Sequence, residues 1–277
     1  MYTANLVSIV MPCFRAEKTL ELAVSGIQSQ HYPHWELLLV VDGTQDNCAA
    51  LAQKLAASEP RIKLLLSTKN RGVVRARNVG IRLAQGEWLA FCDADDFWEA
   101  PKLAAQLELA KQTKANLICS TFWYWYPHRT LKSTQLVRLP KQLKYHTMLR
   151  TNAIPMSTAL YHLPSLGKHY FKPLPAAYIH EDYAYWLRIM QHPAVQAQTL
   201  LLPTTFIRIQ SNSRSANKIL AMRSHAFILK TVAQLTFLKR CQAMLAYVSW
   251  GFRKRWSLQK AKESPIPPSL PTQMLQS

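Results

Sequence analysis

Gly86-Glu87-Trp88-Leu89-Ala90-Phe91-Cys92-Asp93-Ala94-Asp95-Asp96-Phe97-Trp98 is the stretch that decides the fold. Glu87 to Cys92 has the length and apolar density of a buried strand, and it runs directly into three carboxylates within four residues. Carboxylates this close repel one another and gain little from sitting together in water. Two arrangements relieve the repulsion. One is a helix N-terminus, expected near Pro101, which favours negative charge. The other is a hard cation such as Mg²⁺ or Mn²⁺, which prefers oxygen ligands. Spacing alone does not separate them.

Working outward from this stretch, strand and helix signals alternate. Val7 to Met11 reads as a short buried strand stopped by Pro12. Glu17 to Gln30 has helical spacing through Leu20, Ala23, Val24 and Ile27. Glu36 to Val41 is a second strand closed by Asp42-Gly43, and Cys48 to Ala57 a second helix. Ile62 to Leu66 is a third strand, and Arg75 to Gln85 a third helix. Strands separated by helices imply βαβ units and a parallel sheet covered on both faces. Ligands of such sheets bind beyond the carboxyl ends of the strands, which is where Asp42 and the 93–96 cluster fall. Beyond them, the pattern predicts a helix over Lys102–Lys114, one strand over Asn116–Tyr124, and a short amphipathic helix over Asp182–Met190. A mostly helical stretch runs from Lys218 to about Trp250. Residues 127–150 are basic and carry no clear period, and the Pro-rich segment 264–277 is expected to be disordered.

Charge is unevenly spread. Residues 1–100 hold 10 Lys/Arg against 11 Asp/Glu, whereas residues 101–277 hold 24 against 4. The excess of cations in the second part points to an anionic partner there, whether nucleic acid, anionic lipid or a phosphorylated substrate. The five cysteines are scattered, with no CxxC or Cys/His spacing, which suggests reduced thiols in a cytoplasm and neither a disulfide framework nor a zinc site. The N-terminus lacks the basic flank of a signal peptide, and no run approaches the roughly 20 apolar residues of a spanning helix.

Further segments carry polar chemistry. Asp42-Gly43-Thr44-Gln45-Asp46 places a carboxylate past a strand beside a glycine that lets backbone approach a ligand, or else forms an Asx turn. In Asn70-Arg71-Gly72-Val73-Val74-Arg75-Ala76-Arg77-Asn78-Val79-Gly80, the side chains of Arg71, Arg75, Arg77 and Asn78 lie near an expected helix start. They suit an anion there, or form a solvated basic face. GxxxxGK[ST] and GxGxxG are both absent. Glu181 and Asp182 are the sole acidic residues between Leu109 and Lys262, adjacent at a helix start. One of them suits a general base; the bland alternative is helix capping. Asn152 to Thr158 and Arg208 to Ser215 supply Ser, Asn and Arg that suit hydroxyls or phosphates. Lys239-Arg240 and Phe252-Arg253-Lys254-Arg255-Trp256 mix cations with aromatics, which suits an anionic lipid interface or a core-packed helix with a basic end.

In order, Val7-Ser8-Ile9-Val10-Met11-Pro12, Val41 to Asp46, Asn70-Arg71-Gly72 with Ala76 to Gly80, Gly86 to Trp98, and Glu181-Asp182-Tyr183 with Trp186-Leu187-Arg188 resemble the family 2 glycosyltransferases of the GT-A fold. The likeness covers roughly residues 5–215. It implies an α/β fold of GT-A type: a mostly parallel nucleotide-binding sheet flanked by helices, with a basic helical C-terminal extension. Residues 1–217 would form the transferase domain (donor side about 1–115, acceptor side about 116–217), 218–262 the basic helical region and 263–277 the tail.

The activity implied is hexosyltransferase-like: an inverting, Mn²⁺- or Mg²⁺-dependent transfer from a nucleotide sugar, with UDP expected, to a glycan or lipid-linked acceptor. Pro12, Asp42, Asn70, Arg77, Asp93 and Asp95 would bind the donor, Asp95 and Asp96 the cation. Asp182 would be the base, with Glu181 beside it. Val41-Asp42-Gly43 departs from the two successive Asp common in the family, which bears on the base of the donor. The expected setting is cytoplasmic and peripheral, at the inner face of the membrane, in bacterial polysaccharide or lipopolysaccharide synthesis, with no nucleic-acid partner. Competing readings are a metal-dependent nucleotidyltransferase and a non-catalytic nucleic-acid-binding protein using the basic half.

Overall fold

A computed structural model describes residues 2–126, 134–210 and 217–260, without the side chains of 250–260. The first third alternates as the periodicity predicts: β1 (Thr3–Cys13), α1 (Leu20–Gln28), β2 (Trp35–Asp42), α2 (Cys48–Ser58), β3 (Ile62–Ser67), α3 (Val73–Leu83) and β4 (Gly86–Phe91). Pro12 does not stop β1, which continues through it to Cys13 alongside β2. Next come β5 (Phe97–Trp98) and α4 (Lys102–Thr113).

The single strand expected over Asn116–Tyr124 is two, β6 (Leu117–Ser120) and β7 (Phe122–Trp125), which join different sheets. The chain changes sheet at Thr121, whose N–H donates to Leu200 O at 2.9 Å. Within 127–150, β8 (Gln135–Val137) and α5 (Tyr145–Arg150) are ordered elements that the sequence does not announce. There follow a 3-10 turn (Met156–Thr158), β9 (Ala159–His162), α6 (Leu163–Leu166), α7 (Glu181–Ile189), β10 (Ala197–Leu200) and β11 (Thr205–Arg208). The long C-terminal helical stretch is two helices, α8 (Lys218–Thr231) and α9 (Phe237–Lys260), separated where Gln234 takes a left-handed φ of 51°. The expected tail over 263–277, and residues 211–216 with Arg214, lie outside the described residues.

The main sheet has the order β10-β6-β9-β4-β1-β2-β3, with β9 the one strand that runs against its neighbours. Period two divides its side chains. Val10, Leu38 and Phe91 face one layer with Ile81 of α3 and Tyr183 and Trp186 of α7. Ile9, Met11, Leu37 and Leu39 face the other, with Leu20 of α1, Ala52 of α2 and Leu103 of α4. The sheet is thus covered on both faces, which is why its central strands read as unbroken apolar runs. α8 is anchored in the first of these layers by Ile228, and His225 Nε2 lies 3.2 Å from Leu149 O.

A second sheet, β5-β11-β7-β8, sits beside the acidic cluster. Its antiparallel register pairs Thr205 with Trp98 and Phe206 with Phe97. Continued by two residues, that register carries Arg208 past the Asp95-Asp96 pair.

Candidate functional site

The main sheet turns outward from β1 in opposite directions: β2 and β3 follow on one side, β4 on the other. A crevice opens at such a switch point, beyond the carboxyl ends of the two central strands. A cleft of about 720 Å³ lies there. Its walls include Pro12 from the end of β1, Asp42 from β2, Asn70 and Gly72 before α3, Arg77 on α3, and Asp93 and Asp95 after β4. Six of the sequence-predicted site residues are therefore brought together; Asp96, Glu181 and Asp182 do not line the cleft.

Each wall has a local cause. Asp42 accepts from the N–H of Arg71 at 3.0 Å and of Gly72 at 2.7 Å, so its carboxylate fixes the turn that opens α3. Gly43 has φ +57°, and a Cβ there would stand 2.0 Å from Asn70 N. The glycine thus admits the backbone of the 69–70 loop, where the sequence suggested a ligand. The first turn of α3, through Gly72, Val73 and Ala76, lines the cleft, so the positive end of the helix dipole lies at its wall. Arg71 and Arg75 are exposed outside this wall. Asn78 is not a ligand contact: its amide is engaged in both directions with the backbone of Phe171, at 2.8 and 2.9 Å.

Arg77 is the joint of the site. It is 5% exposed, and Nη2 reaches Asp93 Oδ1 at 2.7 Å while Nη1 lies 3.7 Å from Glu181 Oε1. Burial opposes its charge, but Asp93, Glu181 and Asp182 outweigh that and hold the guanidinium firmly protonated. Through Arg77 the acids at the end of β4 are tied to those at the start of α7. Asp182 Oδ2 accepts from Asn152 Nδ2 at 2.7 Å.

The three acids after β4 have different surroundings. Asp93 faces Arg77. Asp95 lines the cleft, accepts from Gln210 Nε2 at 2.9 Å, and is pushed up to about 6 by burial and then by the charge of Asp93. Asp96 turns inward and is 6% exposed. Its oxygens accept from Ser157 Oγ and from the N–H of Arg208 at 3.0 Å, and burial followed by Asp95 and Asp93 raises its pKa well above the carboxylate range. Ser157 also accepts from Asp93 N at 3.0 Å and, through its carbonyl, from Trp98 Nε1 at 2.8 Å. The segment 152–158 therefore touches both acid groups.

Among the described residues no three His, Cys, Asp or Glu side chains converge on one point. A divalent ion in this cleft would sit on Asp95 with water and ligand oxygens completing its shell, the pattern Mg²⁺ favours. The sequence reading missed Phe14 and Arg15 at the rim, where the Arg15 guanidinium stands 5.2 Å from the Phe14 ring centre. Their one signal is position, directly after Pro12 and Cys13. Arg208 and Gln210, which the sequence marked only as part of a polar segment, also line the cleft.

The family model described as Glycosyl transferase family 2 matches residues 8–164. The chain is similar to the UDP-Glc:alpha-D-GlcNAc-diphosphoundecaprenol beta-1,3-glucosyltransferase WfgD of Escherichia coli, at 28% identity over 90% of this chain and 94% of that protein. Its fold resembles the S. aureus TarS 1-349 crystal structure in complex with UDP-GlcNAc (TM-score 0.65, 16% identity, covering 87% of this chain and 71% of that one). It also resembles the mannosyltransferase PcManGT of Pyrobaculum calidifontis in complex with GDP-Man and Mn²⁺ (TM-score 0.63, 16% identity, 88% and 73%). At such identities these two structures speak to the fold alone.

Proposed function

The chain belongs to glycosyltransferase family 2, and from that premise we propose that it transfers a hexose from a UDP-sugar to a hydroxyl of a lipid-linked glycan, with inversion. The observation that carries this reading is the single cleft in which the nucleoside-side turn, the α3 N-terminus, Arg77 and Asp95 meet, with Arg77 reaching across to Glu181. The WfgD likeness, over nearly the full length of both chains, favours an undecaprenyl-diphosphate acceptor and work at the inner membrane face in surface polysaccharide synthesis. In this reading residues 1–217 are the transferase unit, 218–262 the basic helical region, of which α8 packs against that unit, and 263–277 the tail.

Pro12, Asp42 and Asn70 border the nucleoside. Diphosphate oxygens meet the positive end of α3 and the cations Arg77 and Arg208. Asp95 would hold Mn²⁺ or Mg²⁺, and Asp96, both of whose oxygens are already occupied, holds the strand end and Arg208 in place. Bound there, a divalent ion supplies Lewis-acid stabilisation of charge on the departing diphosphate. The acceptor oxygen attacks the anomeric carbon from the side opposite the phosphate. The bond from that carbon to the phosphate oxygen breaks with its electrons leaving on the nucleoside diphosphate. The Asp182 carboxylate, oriented by Asn152, takes the hydroxyl proton, and Glu181 helps hold Arg77. No second acid is required, since the leaving group is a phosphate.

The test is transfer and hydrolysis with a panel of nucleotide sugars, in Mn²⁺, Mg²⁺ or chelator, for the wild type, Asp95→Ala and Asp182→Asn. Loss of both activities in Asp95→Ala, and of transfer above all in Asp182→Asn, is expected. Undiminished transfer in both variants refutes the assignment.

A further inference from the structure

α9 is amphipathic in an unusual sense. Its inner face is packed: Ala243 is buried and the Tyr247 ring stacks on His225 with centroids 4.1 Å apart. Its outer face carries an apolar stripe, with Gln242 and Ser249 exposed beside it. Leu238 is 74% exposed, Leu245 72%, and Val248 and Cys241 are also exposed. Positions 238, 241, 245 and 248 recur at three- and four-residue steps, so they form one stripe along the helix. Phe237, 69% exposed, stands at its start. In the sequence the same steps continue to Phe252 and Trp256, among Arg253, Lys254 and Arg255.

The cations decide what this stripe faces. Lys239 and Arg240 lie in its first turns, and α8, packed beside it, carries Lys218, Arg223 and Lys230 with Ile219 and Met222 exposed among them. From residue 183 to residue 262 the sequence holds no Asp or Glu. A coiled-coil partner of the same sequence is disfavoured, because two such helices would bring the basic α8–α9 surfaces of both copies together with no acid to pair. No helix among the described residues is long and apolar enough to cross a membrane. We propose that α9 lies flat in the headgroup region of an anionic bilayer, its Leu238–Val248 stripe inserted and its lysines and arginines on lipid phosphates. The proposal gives a surface to the peripheral membrane reading above and rests on it for the biological setting alone.

The test is co-sedimentation of the full chain, without donor or acceptor, with vesicles of phosphatidylcholine and of phosphatidylcholine plus phosphatidylglycerol, at low and high salt. Binding to the anionic vesicles alone, weakened by salt, is expected. Leu238→Glu/Leu245→Glu should lower the partition coefficient at least about tenfold, and Lys239→Ala/Arg240→Ala about fivefold per cation removed. Leu238, Leu245 and Lys239 are exposed and Arg240 half-buried over the Phe237 ring, so the thermal transition of the Leu variant should not move, and transfer to a water-soluble acceptor should persist. Equal sedimentation of wild type and the Leu variant overturns the proposal, as does equal binding to neutral vesicles. A dimer seen by analytical ultracentrifugation that dissolves with the Leu substitutions would instead assign the stripe to a second copy. Transfer that fails while vesicle binding holds would count against the proposed reaction and leave this surface intact.

Discussion

Arg77→Met should cost stability as well as activity, and the structure sets the scale. The guanidinium is 5% exposed, 2.7 Å from Asp93, 3.7 Å from Glu181, and 5.3 Å from the centre of the Phe171 ring. Removing one partner of a buried ion pair typically costs about 3–5 kcal/mol, because the remaining charge is left uncompensated. Asp93 keeps about 31% of its side chain in water, which lets solvent screen part of that penalty. A loss of about 2–4 kcal/mol is therefore expected, a large share of the roughly 5–15 kcal/mol that holds a domain folded. Arg77→Lys should recover part of it, since an ammonium keeps the charge but cannot serve Asp93 and Glu181 with the same planar fork. Urea denaturation of the wild type, Arg77→Met, Asp93→Asn and the double variant measures the coupling, expected at about 2 kcal/mol. If Arg77→Met unfolds within about 0.5 kcal/mol of the wild type, as an ordinary surface substitution does, Arg77 is a solvated ligand arm and not the joint between the acid groups.

The raised pKa of Asp95, about 6 against an ordinary carboxylate, has a definite sign. The folded state holds this proton longer than the unfolded chain, so the contribution to stability is full below about pH 4 and is lost as pH rises through about 6. A divalent ion needs the deprotonated form; the Mn²⁺-induced rise in melting temperature should thus be larger at pH 7.5 than at pH 5, and Asp95→Asn should abolish it. An equal rise at both pH values would contradict the assignment. Gly43→Ala forces a Cβ against the backbone of Lys69 and Asn70 at positive φ, and should cost about 3 kcal/mol, read as a melting point several degrees lower with weaker UDP binding. Asn152→Ala removes the one side-chain donor to Asp182 Oδ2 among the hydrogen bonds described; kcat should fall with KM for the donor nearly unchanged, whereas a parallel rise in KM would place Asn152 in substrate binding.

The order of the first third was legible because each element declares itself locally. β1, β2 and β4 are covered on both faces and so are mostly apolar; Asp42 closes β2, and Asp93 stands two residues past β4. Elements whose reason is not local escaped. β9 is four residues long, stabilised by its antiparallel neighbours β4 and β6, and no period in Ala159–His162 marks it. Asn116–Tyr124 reads as one apolar run, and only the pairing of β7 with β11 and β8 draws its second half into another sheet. Asn78 resembles a ligand contact in sequence, yet its partner is Phe171, 93 residues away.

The acids show the division most plainly. By itself the sequence determined that three carboxylates follow a buried strand and that Glu181 and Asp182 open a later helix, since strand ends and helix starts follow from the pattern of neighbouring residues. Only the tertiary structure decided which acid meets the cleft. Asp95 and Asp96 are adjacent and chemically alike, but the pairing of β11 with β5 brings the N–H of Arg208, 112 residues on, to Asp96. Ser157, 61 residues on, takes its other oxygen. A carboxyl group tolerates burial only where hydrogen-bond partners replace water, and those partners come from segments that no local pattern connects.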